Sequence, residues 1–392
     1  MQKSKTMVIA GLLVMELLAA IDTTGVTVMV PTLQQYFKIP PQIAGWILMA
    51  YLIPFSLFLV PMGYLADKIG KPEKVITWSI LTFAICSALC GLAVNEYMLI
   101  AFRIIKGIAA AGMFACEFAI ILKYWEEPRR IVEIVITGLA LGVLIGPIFG
   151  GLFSHAQTWR YFFIIGTVLS LAGFIAYQWI KKLEPVVREA DQSEFAQCQT
   201  FGQKTKILFV LLFWGMLLDF IISVSTQGAN LLITLQVQEV IKKSPLYNSA
   251  ILAVLALGMI LANALGIGSK FFKNTKTAVL ASGSLFALIL ILLVLATNWT
   301  GISAFICYFL MGLALGIFIS TIELMVLNPL PTSMLAQGNG WIVTSMQAGY
   351  GLGSFLAPLL FLHLGATKTG LFLSLIVFVV VIPFLLFQKK SK

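Results

Sequence analysis

Apolar stretches of about 20 residues recur along nearly the whole chain, separated by short polar breaks. Such a stretch is long enough to cross the hydrocarbon core of a bilayer. A spanning segment of this kind must be helical, because lipid offers the backbone no hydrogen-bond partners. The sequence therefore predicts an all-α membrane protein with twelve transmembrane helices. Their predicted bounds are residues 7–30, 43–66, 75–94, 97–121, 132–154, 160–180, 206–235, 247–268, 277–297, 301–326, 340–362 and 369–388.

The composition supports the same class, since 60% of the residues are hydrophobic and only 11% are charged. The longest polar stretch predicts a cytoplasmic linker at residues 181–205. It separates two predicted six-helix bundles, residues 1–180 and 206–392. The other connections are too short to bury a core of their own, so no soluble catalytic domain is expected.

The positions of the basic residues predict the orientation in the membrane. Nineteen of the 26 lysines and arginines fall at the termini or in the loops that follow even-numbered helices, and five fall in the other loops. The positive-inside rule then places both termini in the cytoplasm of a multi-pass plasma-membrane protein. The net charge of +10 matches anionic lipid headgroups, so it does not indicate nucleic-acid binding.

Five carboxylates lie inside the predicted spans and are candidates for proton coupling and for lining a substrate cavity: Glu16, Asp22, Glu117, Asp219 and Glu323. If all of them faced lipid, the insertion cost would be on the order of 10 kcal/mol or more. They are therefore expected to face protein or water. Desolvation raises the pKa of a carboxylic acid, so such a group can bind and release a proton near neutral pH.

Helical phase ranks these acids. Glu16 and Asp22 are about 240° apart around one helix, so they are expected to contact different neighbours. Asp219 shares a polar face with Ser223 and Thr226 on the predicted seventh helix, which makes it a strong cavity candidate. For each acid, a buried ion pair or a hydrogen-bonded brace between helices remains the structural alternative.

Glycines mark two further regions. In the loop from Gly63 to Lys71, glycines permit a tight turn, and Asp67 stands where it can pair with a base or meet the positive N-terminus of a neighbouring helix. In the predicted fifth helix, every fourth residue is glycine and forms a smooth strip that another helix can approach closely. This strip consists of Gly138, Gly142, Gly146 and Gly150. Pro147 predicts a kink beside it.

The loop Gly63–Lys71, which includes Gly70, closely resembles the signature loop of the major facilitator superfamily. Three other stretches are similar to motifs of the drug:proton antiporter families within it. Residues 21–31 resemble a Leu-Asp-x-Thr…Pro motif, and Arg103–Gly107 resembles Arg-x-x-Gln-Gly with Lys106 in place of the usual glutamine. Residues 142–151 resemble the glycine-rich antiporter motif around a Gly-Pro pair.

The resemblance implies two bundles that rock around a central cavity, with the loop Gly63–Lys71 as a latch for one state. It implies that Arg103 meets Asp22 or a carbonyl of the first helix. Lys106 would then remain free for substrate or for another carboxylate. The fifth helix would seal the cavity against ion leak.

The expected function is a proton-driven exporter of small lipophilic or cationic compounds. Arg103 and Lys106 leave open the transport of an anionic metabolite or siderophore, in either direction, and a transporter-like sensor is the alternative of another class. No nucleotide-binding loop, zinc triad, nucleophile elbow or redox pair is present in the sequence, so no enzyme, cofactor or metal site is predicted. The expected partners are a small-molecule substrate, protons and the bilayer, with the protein as a monomer.

Overall fold

The structure is a computed structural model, and it describes residues 2–39, 41–153, 158–186, 201–243, 245–272, 274–295, 301–328 and 330–389. All regular secondary structure within these ranges is helical, which confirms the predicted all-α class. The first six long helices are α1 (Gln2–Phe37), α2 (Pro41–Ile69), α3 (Pro72–Gly91), α4 (Glu96–Tyr124), α5 (Pro128–Leu152) and α6 (Trp159–Tyr177).

The next four long helices are α7 (Phe201–Leu235), α8 (Pro245–Ala264), α9 (Thr275–Leu295) and α10 (Ile302–Leu327). The last helical stretch, Leu335–Lys389, is interrupted at Gly365, whose φ of 75° lies in the region that glycine adopts without strain. Gly365 therefore separates α11 (residues 335–364) from α12 (residues 366–389). Short helical turns occur at Gln178–Lys182, Gln236–Val240, Ile267–Phe271 and Thr332–Met334.

The helix lengths agree with the predicted spans. Within the described ranges, ten helical segments are long and apolar enough to cross a membrane, counting residues 335–379 as one, and α8 contributes the shorter apolar segment Ala250–Ala264. Because Gly365 divides residues 335–379, these segments correspond to the twelve predicted helices. The chain is thus a multi-pass integral membrane protein.

The chain divides into two compact units. Unit 1 comprises residues 1–204 together with residues 329–343, and unit 2 comprises residues 205–328 and 344–392. The first turns of α11 therefore belong to unit 1. Most of the predicted linker 181–205 lies outside the described residues, because the structure describes it only up to residue 186 and from residue 201 onward.

The glycine strip of α5 packs against α1 inside unit 1. Gly142 and its neighbours along the strip bring the two backbones so close that a β-carbon added at any strip position would overlap α1. The overlapped residues of α1 are, in order along the strip, Leu13, Leu17 with Ala20, Thr24 and Gly25. Pro147 lies within α5, which continues as one helix from Pro128 to Leu152. The strip is therefore a helix-packing surface of unit 1.

We expect Gly142→Leu to lower the free energy of unfolding by about 1–3 kcal/mol or more, because the added side chain would overlap the Leu17 carbonyl, which is backbone and cannot turn away. Unfolding by SDS titration of the purified protein in mixed micelles measures the change. Gly151→Leu is the matched control, since a β-carbon at Gly151 meets no atom within 4 Å. Equal stability of the two variants would contradict the packing account.

Candidate functional site

Asp22 of α1 forms the centre of a buried ion cluster in unit 1. Its Oδ1 accepts a hydrogen bond from Lys106 Nζ at 2.6 Å, and its Oδ2 faces Arg103 Nη1 at 3.3 Å. Arg103 and Lys106 stand three residues apart on α4, so both reach the same neighbour. The expected contact between Arg103 and Asp22 is present. Lys106, however, is not free for substrate, because the second oxygen of Asp22 lies within its reach.

Each cation of this cluster has further partners. Lys106 Nζ donates to Ser87 Oγ at 3.1 Å and lies 4.5 Å from the centre of the Phe83 ring. Arg103 Nε donates to the carbonyl of Ile47 at 2.5 Å, and its guanidinium lies 5.4 Å from the centre of the Tyr51 ring. The carbonyl that Arg103 binds thus belongs to α2 rather than to α1. A neutral oxygen and an aromatic face therefore supplement the carboxylate at both cations.

The cluster carries an excess of positive charge, since one carboxylate faces two cations that are both buried. A cavity of about 20 Å³ adjoins it and provides space for roughly one water molecule. Its polar lining comes from Asp22, Ser87 and Lys106, and its apolar lining includes Phe83, Phe149 and Phe162. The site is therefore a buried, charged brace between α1 and α4 with little open volume.

Glu16 and Glu117 form a second buried group in unit 1. Both side chains are buried, and their carboxyls make a hydrogen bond with each other. A hydrogen bond between two carboxyls requires a proton on at least one of them, since ionised carboxylates only accept. Glu16 and Asp22 therefore have different partners, as their helical phase indicates.

Asp219 has a different environment in unit 2. It lies on α7 with only 3% of its surface exposed, and its Oδ2 has no hydrogen-bond partner among the described residues. Within the described part of unit 2, no lysine, arginine or histidine is buried. Ser223 and Thr226 of the predicted polar face are also buried, and so is Glu323 on α10. Asp219 is thus a desolvated acid that no buried cation of its unit neutralises.

Asp67 holds the start of α11 on unit 1. Its carboxylate accepts hydrogen bonds from the backbone amides of Ala336 at 3.2 Å and Gln337 at 2.8 Å. These amides belong to the first turn of α11, where backbone amides need acceptors from outside the helix and where the helix dipole favours a negative charge. Gly63 lies so close to Ala336 that a β-carbon would overlap its carbonyl. Of the two partners expected for Asp67, the structure therefore has the helix N-terminus.

The remaining residues of the predicted gating set occupy three positions in unit 1. Gly70 has a φ of 67° just after the end of α2, so it makes the turn that sequence analysis expects there. Lys71 is exposed immediately before α3. Gly107 packs so closely on α2 that a β-carbon would overlap the carbonyl of Tyr51.

We expect Asp67→Asn to increase hydrogen exchange at the amides of Ala336 and Gln337 by roughly tenfold or more, because a hydrogen bond to a charged acceptor contributes about 1.5–3 kcal/mol. Mass spectrometry of peptides covering residues 335–343 measures the rate. Glu73→Gln is the control with the same charge change, since Glu73 accepts from Lys123 and Tyr124 instead. The control should exchange at the rate of the wild type. Unchanged exchange in Asp67→Asn would show that Asp67 does not hold α11.

Sequence reasoning missed two polar residues of unit 1. Ser87 links Lys106 to α6 by donating to the carbonyl of Phe163 at 3.0 Å. Asn339 Nδ2 donates to the carbonyl of Phe114 at 2.5 Å and so joins the start of α11 to α4 within unit 1. A polar side chain within an apolar helix was the available signal for Ser87.

Comparison with known proteins identifies the family to which this chain belongs. Residues 12–354 match the profile of the Major Facilitator Superfamily. Similar curated proteins include the Multidrug resistance protein B homolog of Mycobacterium tuberculosis, 28% identical over 42% of this chain and 31% of its own length. The Multidrug export protein EmrB of Escherichia coli is 26% identical over 44% of this chain and 35% of its own length. These matches therefore cover about a third of the length of the two multidrug proteins.

A third relative matches nearly end to end. The Riboflavin transporter RibZ of Clostridioides difficile is 23% identical over 90% of this chain and 87% of its own length. Among solved structures, the Escherichia coli fucose:proton symporter FucP superposes with a TM-score of 0.76 at 15% identity, covering 95% of this chain and 97% of FucP. The human organic anion transporter MFSD10 gives 0.75 at 14% identity, covering 97% and 98%.

The two solved structures share the fold of this chain, and the matched profile covers most of its length. Of the predicted loop Gly63–Lys71, the residues up to Ile69, including Asp67, belong to α2, and only Gly70 and Lys71 lie between α2 and α3. The Asp22–Arg103 contact is one of the two contacts that the resemblance implies for Arg103. The chain belongs to the major facilitator superfamily of membrane transporters.

Proposed function

We propose that this protein is a proton-coupled secondary transporter that exports small lipophilic or cationic compounds by alternating access. The observation that supports this most strongly is the setting of Asp219, a buried acid in a unit whose described residues include no buried cation. Such an acid is stable in the membrane interior when it carries a proton, and it releases the proton when water or a cationic substrate arrives.

In this proposal, Asp22 and Asp219 have different roles. Two cations compensate Asp22, so it stays ionised and braces α1 against α4. Asp219 takes the proton that enters from outside, and protonation favours the state from which substrate has left. Glu16 and Glu117, which share a hydrogen bond, provide a second place for a proton in unit 1. Glu323 is a further buried acid in unit 2.

The proposed direction is export. The strip at Gly142, Gly146 and Gly150 places α5 in contact with α1, and we propose that this contact prevents protons from leaking through unit 1. Two relatives are named as multidrug resistance or export proteins, although each match covers only part of either chain. Both features favour an antiporter over an uptake symporter.

The docking of α11 on unit 1 is the proposed latch. Asp67 holds two amides of α11, and Gly63 allows the close approach. A contact that depends on two hydrogen bonds and one short backbone approach can form in one conformational state and break in another. We propose that its release accompanies the change of access.

Transport of an anionic or aromatic metabolite is the second candidate. The excess positive charge of the Asp22 cluster suits an anion, and the relative that matches nearly end to end is a riboflavin transporter. For either candidate, the predominance of lysine and arginine in alternate loops supports a plasma-membrane location with both termini in the cytoplasm.

Everted membrane vesicles test the proposal. Respiration acidifies the vesicle lumen, and a pH-sensitive dye reports this acidification. An exporter that exchanges substrate for protons should release luminal protons when ethidium, as a lipophilic cation, is added. Riboflavin and an organic anion test the second candidate in the same assay. Vesicles without the protein are the control, and no proton release with any of the three compounds would contradict proton antiport.

A further inference from the structure

A groove in the exposed surface of unit 1 has no role in the proposed transport cycle. It lies between α2, α3 and α4 and has a volume of about 340 Å³, within the size range of small-molecule binding sites. Its lining is mostly apolar, and Trp78 within it is 67% exposed. The apolar lining includes Leu65, Ile69, Val75, Trp78, Ile105 and Ile108.

Polar groups enter the groove along one face of α3. Lys74, Trp78 and Thr82 all line it and follow each other at intervals of four residues. This face extends for about 12 Å, at 1.5 Å per residue, from the first turn of α3 toward the middle of the helix. The groove thus has its charged side chain, Lys74, at the start of α3 and mostly apolar side chains along the rest of its length.

The charged end of the groove is strongly basic. Lys68, Lys71 and Lys74 are all exposed, and none of them forms an ion pair within the described residues. The two acidic residues nearest in sequence already have other hydrogen-bond or ion-pair partners. Asp67 is bound to the amides of α11, and Glu73 accepts from Lys123 at 2.7 Å and from Tyr124 at 2.8 Å. The groove therefore lies beside a positive charge that no carboxylate of this region neutralises.

We propose that this groove is a binding site for one anionic phospholipid, with an acyl chain against Trp78 and Ile105 and the phosphate group facing Lys74. An apolar channel that ends in a basic surface is complementary to a lipid that combines an acyl chain with a negative headgroup. A zwitterionic lipid such as phosphatidylcholine would bring a quaternary ammonium group beside these lysines together with its phosphate, and a lipophilic cation would be repelled by them. The site lies in unit 1 and is separate from Asp22, so the inference does not depend on the proposed transport function.

The test uses the purified full-length protein with a phosphatidylglycerol that carries a photoactivatable group in its acyl chain, compared with the matching phosphatidylcholine. Peptide mapping should place the label on residues 74–82 or 105–109, with phosphatidylglycerol preferred. We expect Lys74→Gln to weaken phosphatidylglycerol binding about fivefold, as one basic residue near a membrane surface contributes. Phosphatidylcholine binding should weaken less, because the ammonium of its headgroup already offsets the attraction between its phosphate and the lysine. Trp78→Ala should weaken binding of both lipids.

The matched control is Lys181→Gln, which removes an exposed lysine from the turn Gln178–Lys182, away from the groove. This variant should retain the preference of the wild type for phosphatidylglycerol over phosphatidylcholine. Equal labelling by both lipids, labelling outside the groove, or the same loss in Lys181→Gln as in Lys74→Gln would each overturn the proposed site. Circular dichroism of each variant checks that it is folded.

Discussion

Replacing Asp22 with asparagine is expected to lower the free energy of unfolding by about 3–5 kcal/mol and to abolish transport. The substitution preserves the shape of the side chain but leaves Arg103 and Lys106 as two buried cations without a carboxylate. Removing one partner of a buried ion pair is costly for this reason. SDS titration of the purified protein in mixed micelles measures the free energy of unfolding.

Lys106→Gln is the matched comparison for Asp22→Asn. It leaves the pair of Asp22 and Arg103 in place, so the expected loss is smaller, about 1.5–3 kcal/mol. The double variant should be more stable than the sum of the two single losses predicts, by about 0.5–3 kcal/mol, because removing Lys106 relieves the repulsion that Asp22→Asn creates. Strictly additive losses of stability would show that Asp22 and Lys106 do not interact.

Replacing Asp219 with asparagine is expected to abolish proton-driven accumulation, with at least a tenfold loss, while changing stability little. Asparagine has the shape of the protonated acid but cannot release a proton, so the coupling step is blocked. Because no buried cation of unit 2 pairs with Asp219 among the described residues, its removal leaves no unpaired charge. Substrate exchange without a pH gradient should persist, and radiolabelled exchange in proteoliposomes measures it.

Glu323→Gln is the control for Asp219, since Glu323 is also a buried acid of unit 2. We expect this variant to retain most of the proton-driven accumulation. Equal losses in both variants would assign coupling to the pair of acids rather than to Asp219 alone. Loss of exchange as well as accumulation in Asp219→Asn would indicate a role in substrate binding instead.

The helices were predictable because lipid leaves few alternatives. A run of about 20 apolar residues must be helical in lipid, so the hydropathy of the chain already indicates the twelve long helices that lie within the described residues. The contact of Arg103 with Asp22 followed from the family resemblance. The four-residue period of the glycines from Gly138 to Gly150 predicts a packing strip. It does not predict that the partner is α1, because that contact is distant in sequence.

Other parts of the site depend on tertiary placement. The resemblance implies that Lys106 is free for substrate or for another carboxylate, but a carboxylate has two oxygens, and a lysine three residues after Arg103 reaches the second oxygen of Asp22. The hydrogen bond between Glu16 and Glu117 joins residues about 100 positions apart, which helical phase within one element does not predict. The place of residues 330–343 in unit 1 is equally nonlocal, since these residues follow α7 to α10 of unit 2 in sequence.

The central claim is that substrate movement and proton movement are coupled through Asp219. The most direct measurement follows both flows in proteoliposomes with the membrane potential held at zero, using the compound that gives the largest response in everted vesicles. With an acidic lumen, the wild type should accumulate this compound while the lumen becomes less acidic, and Asp219→Asn should do neither. Equal accumulation with and without the pH gradient, or unchanged coupling in Asp219→Asn, would contradict the account.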